Sequence, residues 1–264
     1  MDQRAREQAC GDAEVIGAAQ REGAVSKVEG TDLDVVRVGE GPDLLLLHTL
    51  LSDRSVYDRV VPAFAKTRRV WLPNLPGFGA SPPAGPRLEE YADRLAGMFT
   101  ALGLGPGTDV VSNGFGGHVA IALAIRHGAR FRRLVIADAV AKFSEPGREA
   151  LRLLAERVRE GGIAAGIETS IRRTFTDAFV AAHPEIVEDR RRRLEKFDPV
   201  AFRNACLALA AMDFRSALGG ITNPTLVMTG ALDPTTPPAL GRELATGIPG
   251  TRFIEIQDCA HCPP

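Results

Sequence analysis

The sequence predicts an α/β fold with a mostly parallel central sheet flanked by helices and a helical cap. Three observations indicate this fold: short continuous apolar runs, helical patterns that alternate with them, and one long interval that holds helical patterns alone. Continuous apolar runs are typical of parallel strands, because helices cover both faces of a parallel sheet. Strands that alternate with helices indicate right-handed crossover connections between parallel neighbours.

The first predicted elements are a hairpin followed by buried strands. Val25–Val28 and Leu33–Val38 are rich in β-branched residues, and they flank the turn sequence Glu29-Gly30-Thr31-Asp32. Further strands are predicted at Asp43–His48, Arg69–Leu72, Asp109–Ser112, Arg133–Ala137, Thr225–Thr229 and Arg252–Ile256. Helices are predicted between them at Ser55–Ala65, Leu88–Leu102 and Phe115–His127.

The interval from Glu145 to Leu218 contains no predicted strand. Amphipathic patterns there predict helices at Ala150–Arg159, Ile163–Phe175 and Pro199–Met212. A helical insertion after the sixth strand lies over the carboxyl edge of the sheet, where open α/β sheets bind their ligands. The expected organisation is a polar N-terminal segment at 1–24, a core at 25–144 and 219–264, and a cap at 145–218.

Composition and charge restrict the classes of function. The 32 Lys and Arg residues balance 33 Asp and Glu residues, so neither nucleic acid nor an anionic membrane is an expected partner. No apolar run approaches the roughly 18 residues of a membrane span, and the charged N-terminus lacks the apolar stretch of a secretion signal. Four cysteines are too few for a disulfide scaffold, so a cytoplasmic location is expected. The expected partner is a small-molecule substrate, bound by a monomer or a homo-oligomer.

Four motifs follow predicted strands in an order that resembles the α/β-hydrolase fold. They are Asn74-Leu75-Pro76-Gly77-Phe78-Gly79-Ala80-Ser81, Val111-Ser112-Asn113-Gly114-Phe115-Gly116-Gly117, Thr229-Gly230-Ala231-Leu232-Asp233-Pro234 and Ala260-His261. Their order and spacing are similar to that family over residues 25 to 263. Cap segments at 175–179, 182–184 and 212–215 resemble 3-oxoadipate enol-lactonases. The resemblance implies a substrate that is a small ester, lactone or carbonyl compound bearing a carboxylate; no cofactor and no metal are expected.

The family's nucleophile stands in the middle of the pattern G-x-S-x-G, on a sharp turn from strand to helix. The same five positions here read Ser112-Asn113-Gly114-Phe115-Gly116, so the nucleophile position is Gly114 and has no side chain. Glycine tolerates the positive φ of such a turn, and we expect the turn to persist without the attacking atom. Ser112 is interpreted as a packing residue on the strand, and Asn113 as a hydrogen-bonding neighbour.

The resemblance implies that His261 is a general base and that Asp233 is the acid that orients it. A histidine oriented by an aspartate transfers protons near neutral pH. Asp138, at the end of the sixth strand, is an alternative position for the acid, although Asp233 fits the pattern better. With no side chain at Gly114, His261 is expected to activate water directly, or to abstract a substrate proton in a lyase, decarboxylation or isomerisation step.

The resemblance also implies an oxyanion hole made by the N–H groups of Phe115 and Leu50. The first lies at a helix start, where unpaired donors and the helix dipole favour negative charge. Leu50 lies in the loop His48-Thr49-Leu50-Leu51, which has Thr49 at a position where the family usually has glycine. His48, Thr49 and Asn113 are therefore further candidates for substrate contact.

Several other residues have alternative interpretations. A cap arginine, either of the pair Arg172 and Arg173 or one within Arg190–Arg193, is a candidate to bind a substrate carboxylate, although such runs are usually solvated helix faces. His118 is interpreted as a packed side chain. The sequence Cys259-Ala260-His261-Cys262 permits a redox or metal site, but it lacks the helix start that activates such thiols and a second ligand pair. Cys259 is a minor alternative nucleophile.

The sequence is also compatible with two functions other than catalysis by His261 without a serine nucleophile. The first is a ligand-binding protein that keeps the pocket of a hydrolase and has lost its chemistry. The second is an inactivated variant of a serine hydrolase, either an esterase or an enol-lactonase.

Overall fold

The structure, a computed structural model, describes residues 25–50 and 52–261. The polar segment predicted at 1–24, as well as Leu51, Cys262 and the side chain of Arg173, lie outside the described residues. In the described part, one sheet has the strand order β1-β2-β4-β3-β5-β6-β7-β8. The strands are β1 (Val25–Val28), β2 (Val35–Val38), β3 (Asp43–Leu47), β4 (Arg69–Pro73), β5 (Asp109–Asn113), β6 (Arg133–Ala137), β7 (Thr225–Gly230) and β8 (Arg252–Ile256).

The sheet is mostly parallel. β1 and β2 form the predicted antiparallel hairpin, with Val28 opposite Val35, and β2 also runs antiparallel to β4. The other neighbouring strands pair in parallel. Parallel strands need crossover connections, and helices supply them on both faces of the sheet. The predicted α/β class is therefore confirmed.

Helices occupy most of the connections. The α-helices are α1 (Val61–Ala65), α2 (Leu88–Ala101), α3 (Phe115–His127), α4 (Glu145–Gly161), α5 (Ala164–Thr174), α6 (Asp177–Ala182), α7 (Pro184–Leu194), α8 (Pro199–Ala211) and α9 (Pro238–Gly247). Short 3₁₀ turns lie at Arg54–Tyr57, Gly128–Arg130 and Leu218–Gly220. No helix within residues 25–50 and 52–261 has the length and apolar character that a membrane-spanning segment requires.

The run of four leucines in β3 shows why the central strands are apolar on both faces. Leu45 and Leu47 belong to the larger hydrophobic cluster, which includes α2 and α3. Leu44 and Leu46 belong to a second cluster on the opposite face. Successive side chains of a strand point to opposite faces, so a strand covered on both faces must be apolar at every position.

The helix predicted at Ser55–Ala65 is wrong as a single element. The chain instead makes a 3₁₀ turn at Arg54–Tyr57 and a separate short helix at Val61–Ala65. Pro62 has no N–H to donate to the carbonyl of Asp58, and its ring would crowd that carbonyl, so a continuous helix cannot pass through this point.

The five helices α4 to α8 follow one another between β6 and β7. The first is longer than predicted and begins at Glu145 instead of Ala150. Its start is fixed by Ser144, whose hydroxyl accepts a hydrogen bond from the N–H of Gly147 at 3.3 Å, and by Pro146 in the first turn. α8 packs along α4 and also contacts α2 and α3. The insertion is therefore joined to the core mainly through α8.

Candidate active site

The turn between β5 and α3 forms a sharp corner at the carboxyl edge of the sheet. Gly114 has φ of 52° and ψ of −115°, a conformation that residues with a Cβ rarely adopt. Its N–H donates to the carbonyl of Ala137 at 2.9 Å. Gly116 permits the close approach of α3 to β3, because a Cβ there would lie 2.4 Å from the carbonyl oxygen of Leu47. The corner expected from the sequence is present.

His261 and Asp233 lie side by side and are both buried. The imidazole Nδ1 is 2.8 Å from Asp233 Oδ2, and the residues are 7% and 3% exposed. Asp233 follows β7 and His261 follows β8, and these two strands are neighbours. The N–H of Leu232 donates to the carbonyl of Cys259 at 2.8 Å, which ties the two loops together. The structure thus brings the predicted base and acid into direct contact.

The environment of Asp233 favours its ionised form. Burial alone would raise the pKa of this carboxyl, but hydrogen bonds from His261 and Thr236 hold the pKa below its usual value. Oδ1 accepts the N–H groups of Thr235 and Thr236 at 2.7 and 3.0 Å. Asp233 is therefore a fixed anion that holds a proton on Nδ1 of His261, which leaves Nε2 as the atom that can accept one.

His261 presents Nε2 to the corner. A Cβ built on Gly114 would lie 3.4 Å from this nitrogen. A general base acts on an atom within hydrogen-bond reach. The imidazole is therefore placed to serve an attacking group at the position that the missing side chain would have occupied.

Two further buried histidines border the corner as neutral structural groups. His48 donates from Nδ1 to the carbonyl of Thr49 at 2.8 Å and accepts at Nε2 from the N–H of Leu75 at 2.9 Å. His118 donates from Nδ1 to the carbonyl of Gly114 at 2.8 Å and accepts at Nε2 from a main-chain N–H at 3.2 Å. Burial lowers the pKa of His48 to about 4 and that of His118 to about 3.

The N–H groups of Leu50 and Phe115 have no hydrogen-bond partner within the described part of the chain. Both residues line the same cavity as His261. Phe115 is the first residue of α3, so its N–H is one of the unpaired donors at a helix start. Two unpaired donors beside a general base can stabilise negative charge on a carbonyl oxygen.

Asp138 adds a second carboxyl next to the histidine and aspartate pair. It has φ of 50°, and it accepts hydrogen bonds from the N–H of Gly230 at 3.1 Å and from Asn113 Nδ2 at 3.3 Å. Burial raises the pKa of Asp138 to about 7, and the negative charge of Asp233 contributes in the same direction. Near neutral pH the carboxyl of Asp138 is therefore partly protonated.

Three donor groups lie close enough together to be considered as metal ligands. The donor atoms of Asp138, Asp233 and His261 are within 4.8 Å of one another. Nδ1 of His261, however, is hydrogen-bonded directly to Asp233 and is not available for coordination. The hydrogen bond between His261 and Asp233 accounts for the proximity of those two groups.

A small cavity of about 40 Å³ lies in front of the corner. From the core it is lined by Thr49, Leu50, Gly114, Phe115, His118, Thr235 and His261, and from the β6–α4 connection and the cap by Phe143, Leu151, Leu154 and Leu209. Its walls are mostly apolar, and its polar groups converge on Gly114. This combination is typical of a site that binds a small molecule.

The side chain of Thr49 fills the position that the sequence leaves empty. A Cβ built on Gly114 would lie 2.3 Å from Thr49 Oγ1 and 3.1 Å from its Cβ. Thr49 follows β3 and Gly114 follows β5, and these strands are neighbours in the sheet. Both departures from the family pattern were visible in the sequence, but their contact was not predicted. The shared sheet edge is the signal that could have related them.

The substitute nucleophiles considered from the sequence, Ser112 and Cys259, are not among the residues that line the cavity. Ser112 donates its hydroxyl to the carbonyl of Val135 on β6 at 2.7 Å and is fully buried. Burial raises the pKa of the Cys259 thiol to about 11, so this residue is a poor source of thiolate at neutral pH. Cys262 of the predicted C-x-x-C pair lies outside the described residues.

Among the described side chains, the arginines proposed to bind a substrate carboxylate are not part of the cavity lining. Arg172 is exposed on α5. In the arginine run of α7, Arg191 pairs with Glu168 at 2.8 Å, while Arg192 and Arg193 pair with Asp189 at 3.5 and 2.6 Å. These pairs match the solvated-face interpretation of the run. Arg190, which is half-buried, is close enough to His48 for its charge to act on that imidazole.

Comparison with known proteins agrees with the fold. A family profile for the alpha/beta hydrolase fold matches residues 42–264. The chain is 30% identical over 222 residues to 3-oxoadipate enol-lactonase 2 of Acinetobacter baylyi, covering 83% of this chain and 82% of the relative. It is 31% identical over 243 residues to a pimeloyl-(acyl-carrier protein) methyl ester esterase of Aromatoleum aromaticum, covering 84% and 92%.

Solved structures give the same result. The enol-lactonase of Burkholderia xenovorans superposes with a TM-score of 0.82 at 29% identity, over 90% of this chain and 92% of the other. A thermophilic esterase of Thermogutta terrifontis, solved with malate bound, has a TM-score of 0.81 at 31% identity, over 91% and 92%. The chain belongs to the α/β-hydrolase family and has enol-lactonases and esterases among its relatives.

Proposed function

We propose that this protein hydrolyses a small carboxylate-bearing ester or lactone without a serine nucleophile, by direct attack of water. His261 is the general base, Asp233 orients it, and the N–H groups of Leu50 and Phe115 bind the oxyanion. The observation that carries the proposal is the position of His261 Nε2, 3.4 Å from the point where a side-chain carbon at residue 114 would lie.

The reaction consumes one water molecule, which supplies both the attacking oxygen and the proton that the leaving group receives. Nε2 of His261 takes a proton from water while the water oxygen bonds to the carbonyl carbon, and the carbonyl oxygen becomes an anion that the two N–H groups stabilise. The tetrahedral intermediate then breaks its bond to the leaving oxygen, which takes the proton from His261. An ester yields an acid and an alcohol, and a lactone yields one hydroxy acid.

The kind of substrate is supported by the relatives and by the cavity. One relative is named for 3-oxoadipate, a dicarboxylate, and the similar esterase structure holds malate, also a dicarboxylate. A cavity of about 40 Å³ favours a short acyl group over a long chain.

The test is turnover of a panel of short esters and lactones, with and without a carboxylate, by the wild type and His261→Gln. We expect the substitution to lower kcat by about 10² to 10⁴, the usual contribution of general acid–base catalysis. His127→Gln is the matched control, because that histidine lies on the surface of α3 and pairs with Asp93. A His261→Gln variant that turns over as fast as the wild type would contradict the proposal.

The alternative functions give different results in the same experiment. A ligand-binding protein would turn over nothing, while dicarboxylates would raise its Tm, since a ligand that binds only the folded state stabilises it. A lyase or isomerase would convert carbonyl substrates without consuming water, which product analysis would show.

A further inference from the structure

Thr49 is a cavity-lining residue whose hydroxyl has no hydrogen-bond partner within the described part of the chain. Thr49 is 2% exposed, and it lines the cavity with Gly114, Phe115 and His261. Within residues 25–50 and 52–261 its hydroxyl makes no hydrogen bond, and the hydrogen bond that this residue does make uses its carbonyl oxygen. A hydroxyl that borders a cavity can hydrogen-bond a water molecule or a polar group of a ligand there.

The geometry defines where that ligand lies. Thr49 Oγ1 is 2.3 Å and His261 Nε2 is 3.4 Å from the position of a Cβ at Gly114. The two polar atoms therefore converge on one point from the β3 and β8 sides of the corner. A bound water needs two to four polar partners and a space of roughly 10–15 Å³, and the cavity of about 40 Å³ that both residues line provides the space beside the corner.

We propose that the Thr49 hydroxyl, together with His261 Nε2, holds the attacking water at the corner where the family has a nucleophile. This inference rests on the proposed function and assigns a catalytic residue to it. Thr49 Oγ1 accepts a hydrogen bond from one O–H of the water, which stays intact and orients an oxygen lone pair toward the carbonyl carbon. The other proton goes to His261 as the carbon–oxygen bond forms.

Water is favoured over the threonine oxygen itself as the attacking group. A hydroxyl nucleophile must be hydrogen-bonded to the base that removes its proton, and the hydrogen bonds given for His261 join its Nδ1 to Asp233 and Thr236. A water between the two residues is within reach of the base, and its attack gives the products through a single tetrahedral intermediate without an acyl-enzyme. An acylated Thr49 is therefore an outcome of the test that would overturn the proposal.

The same geometry explains why the two sequence departures occur together. A side chain at residue 114 would overlap Oγ1 of Thr49 in its present position. The position of the Thr49 hydroxyl therefore requires glycine at residue 114. In a site without a nucleophilic side chain, the activity in turn requires this hydroxyl. The methyl group of threonine restricts its χ1 rotamer, which keeps Oγ1 directed at the corner.

The test compares Thr49→Val, which keeps the shape and removes the hydroxyl, with Thr49→Ser, which keeps the hydroxyl. We expect Thr49→Val to lower kcat about tenfold to a hundredfold with KM changed less than about threefold, and Thr49→Ser to keep most of the wild-type kcat. Thr108→Val is the matched control, because Thr108 is buried, its hydroxyl is also unpartnered in the described part, and it lies before β5 at the opposite sheet edge.

The outcomes separate this inference from the function on which it rests. His261-dependent turnover that Thr49→Val leaves unchanged would overturn the inference alone, as would an acyl group found on Thr49 by mass spectrometry after rapid quenching. Absence of wild-type turnover on the whole panel would overturn both. If Thr49→Val fails to fold, Thr49→Ala removes the same hydroxyl and is held to the same expected loss of kcat.

Discussion

The side chain of Thr49 occupies the space that a side chain at Gly114 would fill. The pair changes the chemistry of the corner without changing its main chain, because Gly114 keeps the turn and its N–H still bonds to Ala137 at 2.9 Å. The missing side chain could be predicted from the sequence. The position of the threonine hydroxyl could not, because it depends on a χ1 rotamer and on how two loops pack.

We predict that Gly114→Ser alone does not restore a serine hydrolase. Its Cβ would lie 2.3 Å from Thr49 Oγ1 at positive φ, so we expect a loss of stability of about 1–3 kcal/mol and little reaction with a serine-directed phosphonate. The double variant Thr49→Gly/Gly114→Ser removes the overlap. We expect it to recover part of the stability and to be labelled by the phosphonate.

The measurements are urea unfolding of both variants and intact-mass detection of the adduct. Thr49→Gly alone is the control, because it removes the hydroxyl without adding a serine. A Gly114→Ser variant that is as stable as the wild type and reacts fully with the phosphonate would show that the side chain of Thr49 does not occupy the corner.

At the scale of elements, the β3 run and the hairpin were predictable because burial on both faces, or a turn sequence between β-branched runs, leaves a clear pattern. The interruption at Pro62 shows the limit of apolar periodicity, which continues across a residue that cannot donate a main-chain hydrogen bond. The five-helix insertion was predictable as helical. α5 ends at Thr174. Thr176 caps the next helix, because its hydroxyl accepts a hydrogen bond from the N–H of Phe179 at 3.1 Å.

The start of β5 is held by an ion cluster that sequence patterns did not indicate. Asp109 is 6% exposed and accepts hydrogen bonds from Arg68, Arg132 and Arg133, which come from both sides of the strand. Burial would raise the pKa of Asp109, but the three arginines hold it far below its usual value.

We predict that Asp109→Asn destabilises the protein by about 2 kcal/mol at pH 7, because three guanidinium groups lose their shared anion. A carboxyl whose pKa is lowered in the folded state stabilises that state above its unfolded pKa and loses the effect as the pH falls. The difference between wild type and variant should therefore shrink below about pH 4. Urea unfolding at pH 7 and pH 3 checks this, and an unchanged difference at pH 3 would contradict it.

At the scale of the whole molecule, the cavity is made jointly by the core and the cap. The core contributes the polar groups at the strand ends, while Leu151, Leu154 and Leu209 come from cap helices α4 and α8. The contact of His261 with Asp233 was predictable, since the carboxyl ends of neighbouring parallel strands meet at one edge. The apolar cap wall was not, because several faces of amphipathic helices could have faced the core.

We predict that Leu154→Ala enlarges the acyl pocket. Removing a buried leucine costs about 2–5 kcal/mol, and one methylene of substrate is worth about 1–3 kcal/mol in an apolar pocket. We expect the preference for longer over shorter acyl esters, measured as a ratio of kcat/KM values, to rise at least tenfold. Leu244→Ala, in α9 and away from the cavity, is the control for stability loss alone.

The two neutral imidazoles beside the corner connect neighbouring loops through hydrogen bonds. His48 links the loop after β3 to the loop after β4, and His118 links the corner at Gly114 to the loop after β6. Four strand ends are thereby joined in two pairs by groups whose burial favours the uncharged form. The shape of the cavity at these strand ends is thus independent of the attacking group. The same fold can therefore use either a nucleophilic side chain or a water molecule.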